Sequence, residues 1–111
     1  MSSVVVISID RPAVEKAVLD WVATLRVANP EVGRVIWFGS WVTGLPAPGS
    51  DVDLCVVVSK ADAPRRERMA RYLPVGFPVG VDLCVYTEDE LAGLRDSSPQ
   101  WYRAITLGRE M

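Results

Sequence analysis

Three aspartates stand where a carboxylate is costly. Asp51 and Asp53 take alternate positions of the otherwise apolar run Asp51-Val52-Asp53-Leu54-Cys55-Val56-Val57-Val58. Alternation along a strand puts both on one face, with their carboxylates near each other. Asp82 interrupts a second apolar run, Val79-Gly80-Val81-Asp82-Leu83-Cys84-Val85. Burying one carboxylate costs roughly several kcal/mol unless it is paired or metal-bound. Clustering three adds mutual repulsion. Bound cations relieve both costs, and carboxylate oxygens suit Mg²⁺ or Mn²⁺. Two such ions would lie about 3.5–4 Å apart and flank a transferring phosphoryl group. For each aspartate alone, a turn position or an arginine partner is an equal explanation; the three together favour a metal site. Gly39-Ser40 closes another apolar run, Val35-Ile36-Trp37-Phe38. Glycine lets a ligand approach the backbone closely. The N–H groups opening the next turn, with the Ser40 hydroxyl, can hold phosphate oxygens.

These residues need a scaffold. At 111 residues the chain has the length of one domain. Residues 1–111 are read as that domain, with 1–11 as an N-terminal strand or tail. Asp10 caps a helix with Pro12 in its first turn. Val14, Val18, Trp21 and Leu25 mark its apolar stripe, and Asn29-Pro30 ends it. Val35–Phe38 reads as a buried strand and 41–45 as a short helical piece. A Pro/Gly-rich loop over 46–50 leads into a strand over 51–59. A helix over 61–73, a loop over 74–78 and a strand over 79–86 follow. Thr87 then caps a helix, with Glu90 completing a capping box. Ser98-Pro99 starts the last helix, whose apolar content is Trp101, Tyr102, Ile105 and Leu107. This order predicts a small α/β (α+β) fold, with a mixed sheet of three to four strands flanked by helices.

Composition removes several chemistries. The chain has no histidine, which excludes histidine metal ligands and a histidine general base. A net charge of −2 argues against a dedicated duplex-DNA surface, so nucleic acid is not expected as a direct partner. The stretch 60–71 is locally basic, with Lys60, Arg65, Arg66, Arg68 and Arg71. A solvated face is favoured there over an RNA or acidic-partner site. No spanning or targeting segment is visible, and two cysteines, Cys55 and Cys84, fit a reduced compartment. The expectation is a cytoplasmic protein with both thiols as small buried residues. Trp101 and Tyr102 are open between core and interface.

The string Gly39-Ser40-Trp41-Val42-Thr43-Gly44, followed by Ser50-Asp51-Val52-Asp53-Leu54 and a later strand bearing Asp82, resembles the DNA polymerase beta-like nucleotidyltransferase superfamily. The similarity is closest to its minimal nucleotidyltransferase (MNT) members. It runs from about residue 12 to the end and includes the closing segment Ile105 to Met111. The resemblance implies a nucleotidyltransferase palm in which Gly39, Ser40 and Ser50 bind the triphosphate of ATP. Asp51 and Asp53 would ligate the metals. Asp82 would hold the second metal and help deprotonate the attacking hydroxyl. One departure is Trp41, where many relatives carry a basic residue; packing is favoured over base stacking for its ring. Stand-alone MNT proteins typically act as antitoxins beside a HEPN-type RNase toxin, some by transferring AMP to a toxin tyrosine. That role is the expectation here. Two alternatives stand beside it: neutralisation by binding alone, and transfer to a small molecule or RNA with a helical partner subunit.

Overall fold

A computed structural model of the chain describes residues 11–44, 46 and 50–111. The expected strand over Val4–Ile9 and the Asp10 cap lie outside these residues. The elements run α1 (Arg11–Ala28), β1 (Val32–Phe38), α2 (Ser40–Thr43), β2 (Val52–Val58), α3 (Arg65–Tyr72), β3 (Val81–Thr87), α4 (Glu88–Ser97), α5 (Pro99–Thr106) and β4 (Arg109–Glu110). The four strands form one mixed sheet in the order β3-β2-β1-β4. β1 is antiparallel to β2 and β4, whereas β2 and β3 are parallel and joined through α3.

The apolar patterns explain the layers. Val14, Val18, Val22 and Leu25 recur at helical spacing and bury one stripe of α1. They pack with Val35, Trp37, Val52, Leu54, Val56 and Val85 on one face of the sheet. Ile36, Phe38, Cys55 and Val57 point to the other face and pack with Leu91 of α4 and Ile105 of α5. Nearly every β2 position is therefore buried, as expected for a strand covered on both sides.

Three expectations shift. α3 is shorter than 61–73, beginning after Pro64, whose fixed φ suits a helix start. β4 adds a fourth strand that is only two residues long, with no alternating pattern to reveal it. The basic stretch is not uniformly solvated. Arg68 is buried, donating to Ala63 O (2.7 Å), Val85 O (3.4 Å) and both carboxylate oxygens of Glu90 (2.6 and 3.1 Å). It occupies a carbonyl of the edge strand β3 and ties α3 to α4. The Thr87–Glu90 capping box forms as expected.

Candidate active site

β1 ends where β2 and β3 begin, so three strand termini meet at one edge of the sheet. Phe38 pairs with Asp53, and Asp53 stands directly opposite Asp82 on the parallel neighbour. Both carboxylates thus leave the same sheet face, the one covered further along by α4 and α5. Asp51 precedes β2 and shares that face by alternation.

Burial separates the three. Asp53 is half-buried, whereas Asp51 and Asp82 are exposed. The cost inferred from the apolar runs therefore falls on Asp53 alone, because the sheet edge opens to solvent at the other two. Desolvation first, then the negative charges of Asp82 and Asp51, raise the Asp53 carboxyl above the usual aspartate range. Such crowding is what a bound cation would relieve, and the donor set is all hard oxygen, which fits Mg²⁺ or Mn²⁺. Among the described residues, however, no three acidic or thiol side chains gather tightly enough to form a preset cluster. Asp51 turns its carboxylate onto Gly80, whose missing side chain makes the room. Asp53 and Asp82 are the facing pair, and Asp51 stands beside them.

Gly39 links β1 to α2 at φ 84° and ψ −161°, a conformation that is essentially glycine's alone. A β-carbon there would also run into the Asp53 carboxylate. Gly39 thus brings the backbone that opens α2 against Asp53. Its carbonyl accepts from Val42 N and Thr43 N, both at 3.0 Å, which closes the turn. The N–H groups of Ser40 and Trp41 stand at the helix start, where helical geometry supplies no partner.

Trp41 is buried, as favoured from its chemistry, and it has a positioning task. Its Nε1 donates to Ser50 O at 3.1 Å, fastening α2 to the residue before Asp51. Arg11, from the start of α1, lies over the indole at 5.4 Å and donates to Trp41 O at 3.1 Å. A guanidinium is therefore anchored on the turn where the sequence carries no basic residue.

Behind the carboxylates, Cys55 faces Cys84 in register, and both are free thiols. Cys55 is buried and Cys84 half-buried. The neighbouring Cys55, then burial, push the Cys84 thiol up, which keeps it protonated and inert. A cavity of about 270 Å³ lies beside the acidic pair, bounded by Phe38, Asp53, Asp82, Leu83, Cys84 and Trp101. No local pattern in the chain reveals that Phe38, Arg11 and Trp101 gather around this end of the sheet.

The "Nucleotidyltransferase domain" family model matches residues 22–100. The chain belongs to this nucleotidyltransferase family. The matched stretch contains Gly39, Ser40, Ser50 and all three aspartates, and leaves out Arg11 and Trp101. Among solved structures, a candidate nucleotidyltransferase from Sulfolobus solfataricus has a similar fold. Its TM-score is 0.61 at 23% identity, over 78% of each chain. No curated protein matches. The nucleotidyltransferase fold is a mixed sheet flanked by helices, as the residue pattern predicts. No helix among the described residues is long and apolar enough to cross a membrane.

Proposed function

We propose that this nucleotidyltransferase domain is a metal-dependent protein adenylyltransferase, an antitoxin that transfers AMP from ATP to a tyrosine of a cognate HEPN-type RNase toxin in the cytoplasm. The observation that carries the reading is the facing pair Asp53 and Asp82, with Asp53 pressed against Gly39 at the start of the turn. Asp51, Asp53 and Asp82 would hold Mg²⁺ or Mn²⁺, which when bound would neutralise charge on the triphosphate. Gly39, Ser40 and Ser50 would grip the phosphates. Asp82, exposed at the open edge, would accept the proton of the acceptor hydroxyl. The hydroxyl oxygen forms a bond to the α-phosphorus, the bond to the β-phosphate breaks, and pyrophosphate leaves. Positioning and charge neutralisation supply most of the rate in such transfers.

The test is incubation of the protein with its HEPN-type partner, ATP and Mg²⁺, followed by intact mass measurement. An AMP adduct on the partner is expected, and its loss with Asp51→Ala/Asp53→Ala. Formation of the complex without any adduct would overturn the enzymatic reading. A second reading, neutralisation by contact alone, draws on the burial of Trp41, which leaves the turn without a cation of its own. It requires that the double variant still neutralise the toxin fully.

A further inference from the structure

We propose that Trp101 is the apolar wall of the acceptor site, placed to hold a flat hydroxylic ring with its oxygen toward Asp82. The inference rests on the reading of Asp82 as the proton acceptor and of a tyrosine as the acceptor, and adds the residue that would hold the phenol ring.

The cavity beside the acidic pair is bounded by Asp53 and Asp82 but by none of Gly39, Ser40, Ser50 or Asp51. It is therefore set apart from the turn that would grip phosphate, and leaves room for an acceptor beside the carboxylates. Its other walls carry no cation and, apart from the Cys84 thiol, no polar side chain. An anionic or polyhydroxylic group would meet two carboxylates and no cationic side chain. A ligand with a flat carbon body and one hydroxyl at its end fits both the walls and the rim.

Trp101 is fixed as such a wall should be. Its Nε1 donates to the Tyr86 hydroxyl at 3.0 Å on β3. Its ring meets Phe38 of β1 edge to face, with centroids 5.5 Å apart and planes at 84°. The indole thus spans the sheet from β1 to β3, held at both ends. It is nevertheless 41% exposed, whereas Trp37 and Trp41 are 2% and 3% exposed. With its one polar atom engaged, Trp101 offers the cavity carbon surface alone, and a second ring placed against it gains an aromatic contact.

The indole N–H signals of isotopically labelled protein provide the test, with Trp101 assigned from the Trp101→Phe variant. N-acetyl-tyrosinamide should shift the Trp101 signal, while N-acetyl-serinamide should not. Trp101→Leu should weaken tyrosinamide binding roughly two- to tenfold, and Trp101→Phe, which keeps a ring and controls for folding, much less. In transfer assays Trp101→Leu should raise the KM for tyrosinamide by a similar factor and leave the KM for ATP unchanged. Two results would overturn the proposal. One is tyrosinamide binding that is absent or indifferent to Trp101→Leu. The other is a Trp101 signal that moves with adenosine instead, which would make the indole a nucleobase platform. Binding at Trp101 without any transfer would leave the wall in place and remove the adenylyltransferase reading.

Discussion

The carboxylate of Asp53 fills the space that a β-carbon would need on Gly39. Two constraints meet at that glycine, its φ of 84° and the acidic side chain against it. Gly39→Ala should therefore lower stability by about 2–3 kcal/mol, combining backbone strain with displacement of Asp53. Chemical denaturation measures the loss. Asp53→Ala in the same chain should return the part due to collision, leaving the strain. The two substitutions should thus be non-additive, with a coupling of about 1 kcal/mol. Additive costs would mean that Asp53 is free to move aside.

Asp53 also sits in the field of Asp82 and Asp51, which together with desolvation raises its carboxyl. Removing that charge should help the metal-free protein. Asp53→Asn is expected to raise its stability by roughly 0.5–1 kcal/mol, after allowance for water reaching this half-exposed group. The same change should abolish any stabilisation that Mg²⁺ or Mn²⁺ confers on the wild type. Melting curves with and without the ions test both halves, and equal ion effects in the two proteins would contradict a metal role for Asp53.

Legibility followed local pattern. The α1 stripe from Val14 to Leu25, the alternation through Asp51 and Asp53, and the Thr87–Glu90 box depend on neighbours within a few residues, so periodicity and capping chemistry reveal them. The pairing of Asp53 with Asp82 needed only that two strands lie side by side in register. What escaped depends on distant partners. Arg68 reads as one more surface charge until Glu90 and the Val85 carbonyl are seen around it. Trp101 lies far along the chain from Phe38 and Asp53, and nothing local distinguishes it from an ordinary helix residue. The apolar runs point to three buried aspartates where only Asp53 is half-buried, because such a run does not show where the sheet edge meets water.

Arg11 stands on the turn that begins with Ser40, bonded to Trp41 O and stacked on its ring. It places a positive charge where Trp41 leaves none. Arg11→Ala should raise the KM for Mg²⁺-ATP roughly three- to tenfold, with an effect that fades as salt screens the contact. Arg11→Lys should recover part of it, since the charge returns but the stacked, forked geometry does not. A purely structural Arg11 would show the opposite signature, a lower melting temperature with an unchanged KM.

The Arg68–Glu90 pair gives the protein an acid-sensitive joint. Arg68 holds the Glu90 carboxyl down from the ordinary 4.5 to about 2, with the Thr87 amide at the helix cap assisting. A carboxyl depressed in the folded state contributes stability that is fully present above 4.5. That contribution is lost as pH falls from 4.5 toward 2, because the unfolded chain takes up the proton first. The amount should be roughly 1–2 kcal/mol, discounted because Glu90 is partly open to solvent. Arg68→Met should cost about 2 kcal/mol at neutral pH by removing the hydrogen bonds to Glu90, Ala63 and Val85. The variant should also lose much of the wild type's stability change over that acid interval, since Glu90 then titrates nearer its ordinary value. Urea denaturation of both proteins across the interval checks this: their stabilities should converge as pH falls. Parallel curves would show that the acid response arises elsewhere, with the half-buried Glu31 and its partner, the buried Tyr72, the next place to look.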